Sequence, residues 1–296
     1  MLPIILAHGF VGFKRFLVWQ HFNGVERRLR GAGYPAIQAE VHPTRSIEER
    51  SRQLLDCINS HIGAEHPFHI IGHSMGGIDA RYLAAPNGLN QGHRIASVTT
   101  IGTPHRGSPI ADRVPVSFVR LAGMGAWFGR WLPFDPDTRK FLSRLSEQRY
   151  EGLPQLKVSY MQETFNQQII DHPAVRYLSF AGVIPSGKTI FPRTLSWSHI
   201  KQLEGDNDGL VSIASAQWGE FMGCLASDHG ALVGLQIMPW MKGPFDHLAF
   251  FEQLAALLQG IEENDAPAAS IDITAYIKTG REPQPTPPSL EPVSGH

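Results

Sequence analysis

Residues 68–84 read Phe68-His69-Ile70-Ile71-Gly72-His73-Ser74-Met75-Gly76-Gly77-Ile78-Asp79-Ala80-Arg81-Tyr82-Leu83-Ala84. The first five are apolar or β-compatible and predict a buried strand over Phe68–Gly72; Ile78–Ala84 suits a helix. Between them lies G-x-S-x-G. A turn from strand directly into helix brings the residues two positions either side of Ser74 into collision. Glycine at 72 and 76 removes the colliding side chains and leaves the Ser74 hydroxyl exposed at the turn. The helix amino terminus that follows favours negative charge beside it.

Outward from this turn, short apolar runs alternate with helical patterns. Strands are expected at Pro3–Ala7, Ala36–Val41, Ile95–Ile101 and Val175–Ala181. Ser46–Ile62 reads as a helix opened by a capping box, Ser46 with Glu49, and carrying Ile47, Leu54, Leu55, Ile58 and Ile62 on one face. Helices are also expected at Trp19–Arg30, stopped by Gly31 and Gly33, and at Phe245–Leu258. Strand and helix in alternation imply a mostly parallel sheet with helices on both faces. In such sheets the chemistry gathers at the carboxyl ends of strands.

Residues 108–165 separate two strands by more than an ordinary connection. Within them Phe118, Leu121, Met124, Trp127, Phe128 and Trp131 suggest inserted helices forming a lid, with Gly123, Gly125 and Gly129 as hinges. The catalytic domain is expected over 1–262. The remainder, 263–296, holds Pro283, Pro285, Pro287, Pro288 and Pro292 and reads as a disordered tail, with Ile271–Lys278 as a weak edge-strand candidate.

A serine hydroxyl needs a base to take its proton and an acid to orient that base. Downstream, Gly205-Asp206-Asn207-Asp208-Gly209 is an acidic turn, and Ser227-Asp228-His229-Gly230 follows it. The order Ser, Asp, His makes Asp208 and His229 the candidates beside Ser74. Asp206 is the alternative acid and reads otherwise as a turn former. His247 is the alternative base, but it falls inside an expected helix. His8, His73 and His105 read as structural support. Two backbone N–H groups are needed opposite a developing oxyanion. Met75, after the serine, supplies one candidate, and Phe10 in the loop His8-Gly9-Phe10-Val11-Gly12 supplies the other.

Five stretches together resemble the bacterial true lipases of the α/β-hydrolase fold: Pro3–Gly12, Ile70–Ala84, Val98–Ser108, Gly205–Ser212 and Asp228–Gly234. Their order and spacing extend over about 1–260. The resemblance implies hydrolysis of acylglycerols or other carboxylic esters at a lipid–water interface, through Ser74, Asp208 and His229, with no cofactor. A short-chain esterase, thioesterase or acyltransferase uses the same triad, and a non-catalytic binding relative is the reading from another class. Those lipases usually carry an acidic calcium ligand two residues after the histidine. Here that position is Ala231, so no such calcium site is expected.

Composition narrows the field. Lys plus Arg is 26 against 27 for Asp plus Glu, which gives no electrostatic reason to expect nucleic acid. No apolar run is long enough for a transmembrane helix, and the start, Met1-Leu2-Pro3-Ile4-Ile5-Leu6-Ala7, reads as a strand rather than an export signal. Cys57 and Cys224 read as two buried thiols, one disulfide being the alternative.

Overall fold

The computed structural model describes residues 1–114, 123–127, 133–184, 193–235 and 245–263. Six strands form one sheet: β1 (Ile4–Ala7), β2 (Ala36–Gln38), β3 (Phe68–His73), β4 (Ile95–Ile101), β5 (Arg176–Gly182) and β6 (Glu220–Leu225). Their order is β2-β1-β3-β4-β5-β6, and every pair is parallel. From β1 the chain goes out to β2 and returns to β3 on the other side. The carboxyl ends of β1 and β3 therefore flank the crevice where the winding reverses.

Side-chain alternation along the strands loads both faces. Ile4, Leu6, Ile71, Leu178 and Phe180 face α1 (Val25–Gly31) and α6 (His247–Glu262), whose Val25, Leu29, Phe250, Phe251 and Leu254 complete one core. Ile5, Ile70 and Val98 face α2 (Ile47–Ile62) and α3 (Met75–Ala84), meeting Leu54, Ile58, Ala80 and Leu83. Each large apolar side chain buried this way contributes about 1.5–3 kcal/mol.

The helices begin where their caps place them. Ser46 Oγ accepts from Glu49 N–H at 3.3 Å and opens α2, and Gly63, at φ 82°, lies just past its end. Asp246 caps α6 through the Ala249 N–H at 3.1 Å, so this helix runs from 247 to 262 rather than 245 to 258. The helix expected from Trp19 starts only at Val25. Phe22 at φ 54° and Gly24 at φ 74° are left-handed and break the helical run, while His21 and Phe22 are turned into the core. β2 stops at Gln38, three residues short of the expected Val41. β6 is not evident in the sequence; it is an edge strand, mostly half-exposed, and bends at Gly223 with φ 125°.

The insertion at 108–165 contributes α4 (Pro136–Ser146), short helical turns at Pro109–Arg113, 123–127 and Gly152–Gln155, and a π-helical turn, Tyr160–Phe165; α5 (Arg193–Glu204) follows β5. Phe141, Leu142, Leu145, Leu153 and Met161 pack onto Met75, Ile78 and Ile47, so this layer lies against the start of α3. Of the expected lid face, Phe118, Leu121, Phe128 and Trp131 lie outside the described residues, as does Gly129. Met124 and Trp127 are 52% and 43% exposed, whereas Ala126 between them is buried. Gly123 is a packing glycine here: a Cβ would stand 2.0 Å from the Tyr150 hydroxyl. Residues 264–296, with the Pro-rich tail and Ile271–Lys278, also lie outside the described residues. Cys57 and Cys224 are half-buried free thiols, without a disulfide.

Candidate active site

Ser74 is the single residue between the end of β3 and the start of α3, with φ 54° and ψ −131°. For a residue with a Cβ this conformation costs about 1–3 kcal/mol and persists only where its surroundings impose it. They do so by close approach. A Cβ on Gly72 would meet Gly77 Cα at 2.5 Å, one on Gly76 would meet the Ala7 carbonyl at 2.2 Å, and one on Gly77 would meet Thr103 Oγ1 at 2.2 Å. Ser74 N–H donates to the Ile101 carbonyl on the neighbouring strand at 3.1 Å. Met75, in the first turn of α3, has no intrahelical acceptor for its N–H.

The loop after β1 crosses directly beside the serine. A Cβ on Gly9 would lie 2.5 Å from Ser74 Cβ and 3.0 Å from its Oγ, so only glycine permits this passage. Phe10 follows, and the loop beyond is pinned by Val11 N–H to Pro43 O at 2.7 Å and Gly12 N–H to Gly9 O at 3.0 Å. Its carbonyl side is held by a buried guanidinium that no sequence motif singles out. Arg50 of α2 donates to His8 O at 2.7 Å, to His42 O at 2.6 Å, and through Nε and Nη2 to Asp79 Oδ2 of α3 at 2.9 and 2.7 Å. Burial pushes the Asp79 carboxyl up to about 6, with Arg50 pulling the other way. This pair joins the Gly9 loop to the helix that follows Ser74. His8, also buried, donates through Nδ1 to Gly9 O at 3.0 Å.

Asp208 and His229 come together although 21 residues separate them. Asp208 Oδ2 accepts from His229 Nδ1 at 2.7 Å, and the carboxylate is fully buried. Its other oxygen accepts from Leu210 and Val211 N–H at 2.9 and 2.7 Å, so both lone-pair regions are engaged. The backbones are tied as well, His229 N–H donating to Asp208 O at 3.0 Å. Two glycines at strand ends make this room. A Cβ on Gly182 would meet Asp208 Cβ at 2.7 Å, and one on Gly102, at φ 58°, would meet Asp208 Oδ2 at 3.0 Å. The signal for them was present in sequence only as glycines just after apolar strands.

The alternatives sit elsewhere. Asp206 is 56% exposed at its side chain and pairs with Lys201. His247 lies in the first turn of α6, its Nε2 2.8 Å from the Asn23 carbonyl. Ala231 begins a single 3-10 turn, and Asp228 Oδ1 accepts from the Gly230 and Ala231 N–H groups at 3.0 and 3.1 Å. Among the described residues no cluster of three or more His, Cys, Asp or Glu side chains could hold a metal ion.

Solved structures share this arrangement of strands and helices. A metagenomic carboxyl esterase superposes with a TM-score of 0.68 at 18% identity, over 89% of this chain and 76% of that one. The lipase of Staphylococcus hyicus gives 0.66 at 21% identity, over 89% and 96%. The fold is that of the α/β-hydrolases. Sequence similarity points the same way. The chain is 31% identical over 240 residues to triacylglycerol lipase 2 of Saccharomyces cerevisiae, covering 77% of this chain and 65% of that protein. With the triacylglycerol lipase of Vibrio cholerae it shares 29% over 242 residues and 74% of each chain. With that of Pseudomonas fragi it shares 36% over 120 residues, 40% of this chain and 39% of that one. The chain thus spans less than two thirds of the yeast and P. fragi proteins. A thioesterase-domain family model matches residues 4–115, the segment that holds the Gly9 loop and Ser74. The yeast, V. cholerae and P. fragi proteins, all named triacylglycerol lipase, are what the chain is similar to in sequence.

Proposed function

We propose that this α/β-hydrolase is a serine-dependent carboxylic ester hydrolase acting on acylglycerols. The observation that carries the reading is the buried Asp208–His229 pair, 2.7 Å apart, at the carboxyl ends of the strands, as is the strained Ser74. In this mechanism Ser74 Oγ attacks the ester carbonyl carbon as His229 Nε2 takes the hydroxyl proton. Asp208 holds the imidazole by Nδ1 and stabilises its charged form. The carbonyl oxygen becomes an oxyanion facing the N–H groups of Phe10 and Met75. Collapse expels the alcohol, protonated by His229, and leaves an acyl-Ser74. Water, deprotonated by the same imidazole, then attacks the acyl carbon; the carbon–Oγ bond breaks, His229 returns the proton to Ser74 Oγ, and the fatty acid leaves. Each step uses groups of this chain.

The match of residues 4–115 to a thioesterase domain favours one second reading, in which the acyl donor is a thioester. Both readings share the acyl-enzyme and differ only in the leaving group. A panel of glycerides, p-nitrophenyl esters of graded chain length and acyl thioesters separates them by kcat/KM. Ser74→Ala is expected to abolish turnover of every substrate in that panel and labelling by a fluorophosphonate, in a protein with unchanged circular dichroism. A wild-type chain that takes up no fluorophosphonate and turns over none of the panel is a binding relative instead.

A further inference from the structure

The residue between the two motif positions Gly72 and Ser74 is His73, a buried imidazole that the proposed reaction does not use. Its ring centroid lies 4.6 Å from that of His229. Nε2 stands 2.9 Å from the His229 backbone carbonyl, and Nδ1 stands 3.0 Å from His21 Nε2. A carbonyl only accepts, so His73 carries its proton on Nε2. Burial holds both His73 and His21 well below the usual imidazole range, so both rings are neutral. His73 Nδ1 is therefore bare and accepts from His21 Nε2–H. His21 Nδ1 is then bare as well, and this buried atom has no hydrogen-bond partner among the described residues. Donation runs one way only, from His21 to His73 to the carbonyl of residue 229.

This has a consequence for the base. His229 is gripped on both sides of its backbone: its N–H by the Asp208 carbonyl at 3.0 Å, and its carbonyl by the residue next to Ser74. His73 itself is fixed in β3, in register with Ile101. The left-handed backbone at Phe22 and Gly24, which replaces the helix expected from Trp19, is what turns His21 inward. An apolar core would fill this volume without a buried acceptor left unpaired, which costs stability.

We propose that His73 and His21 are positioning residues for the base: His73 sets the place of the His229 imidazole relative to Ser74 through the residue 229 carbonyl, and His21 holds His73 in the donating tautomer. The proposal rests on the ester-hydrolase reading for its kinetic readout, not for its spectroscopic one. The test compares His73→Leu, His73→Gln and His21→Phe with the parent for kcat and KM on a soluble p-nitrophenyl ester. Proton NMR follows the downfield resonance of the His229 Nδ1 proton, whose position reports its bond to Asp208. The leucine variant is expected to lose about 10- to 100-fold in kcat at a KM within about twofold of the parent, with the downfield signal moved or broadened. Glutamine, whose amide N–H can reach the same carbonyl, is expected to recover most of kcat. The phenylalanine variant at 21 is expected to lose about 3- to 10-fold in kcat. A folded His73→Leu protein with parental kcat and an unmoved signal overturns the proposal. If that variant does not fold, His21→Phe decides alone, by the same two readouts. Activity that survives Ser74→Ala overturns the ester-hydrolase reading instead, and the NMR comparison still tests the positioning.

Discussion

Two glycines show what the site demands of single residues. Gly31 has nothing within 4 Å of where a Cβ would stand, whereas Gly76 would drive a Cβ to 2.2 Å from the Ala7 carbonyl, a backbone atom that cannot swing away. Gly31→Ala, at the end of α1, is expected to stabilise by up to about 1 kcal/mol through helix propensity. Gly76→Ala is expected to lower Tm by several degrees or abolish folding. Thermal scans of the two purified proteins check this, and equal Tm values contradict the close packing at the turn. The base can be tested at the same scale. His229→Ala is expected to cost on the order of 10³-fold or more in kcat, because proton transfer and its orientation are both lost. His247→Ala removes a contact with the Asn23 carbonyl, away from the Asp208–His229 pair, and is expected to leave kcat near the parent. The reverse pattern transfers the role of base to His247.

At the scale of elements, the insertion carries the most specific expectation. Met124 and Trp127 are exposed, yet the turn between them buries Ala126, so this short helix shows one apolar edge to solvent while its other edge is packed. A large apolar side chain moved from water into lipid gains about 1.5–3 kcal/mol. Trp127→Ser is therefore expected to lower the rate on emulsified triglyceride several-fold while leaving the rate on a dissolved short-chain ester nearly unchanged. Equal losses on both substrates assign Trp127 to packing rather than to lipid contact. Elements of this kind also mark where sequence reading succeeds and fails. β1, β3 and β4 were legible because strands buried on both faces are written as continuous apolar runs. β6 was not, because an edge strand with a bend at Gly223 keeps neither the run nor the alternation. The span from Trp19 has helical spacing in Trp19, Phe22, Val25 and Leu29, but tertiary burial of His21 and Phe22 overrides it. In the site, the order Ser, Asp, His led to Asp208 and His229, which meet at 2.7 Å, and the capping box of α2 was legible too. Arg50 bridging to His8 and Asp79 and the His21–His73 contact carried no local signal. They join residues 29 to 52 positions apart, and nothing in the spacing of a chain announces which of its buried polar groups will meet.

For the whole molecule, the buried imidazoles set how stability responds to acid. Burial lowers His8 to about 3 and holds His21, His73 and His105 well below the usual value of 6.5. In the unfolded chain these groups take up protons below about pH 6.5, while in the folded chain they stay neutral. The unfolded state then binds more protons, so their contribution is fully present above pH 6.5 and is lost as the pH falls below it. Each group contributes a slope of up to about 1.4 kcal/mol per pH unit in that range. Asp79 acts in the opposite sense. Its folded value of about 6 lies above the ordinary 3.8, so between about pH 6 and pH 4 the folded chain holds a proton that the unfolded chain releases. Burial lowers His42, to about 4, and His69 as well, so one raised carboxyl opposes six lowered imidazoles among the described residues and the net slope keeps the sign of the imidazoles. Tm is therefore expected to be level from about pH 8 to 7 and to fall steeply between about pH 6.5 and 5. His105 offers the cleanest dissection, since its contacts are with Thr100 Oγ1 at 3.0 Å, the stacked Trp218 ring and Arg81 rather than with the Asp208–His229 pair. His105→Gln can keep the hydrogen bond but takes up no proton in either state. Denaturant titrations at pH 7.5, 6 and 5 are expected to show the variant less stable than the parent at pH 7.5, the gap narrowing as the pH falls. A gap that stays constant across those three pH values, or a parent Tm that does not fall below pH 6.5, means that the buried imidazoles do not govern the acid limb of this fold.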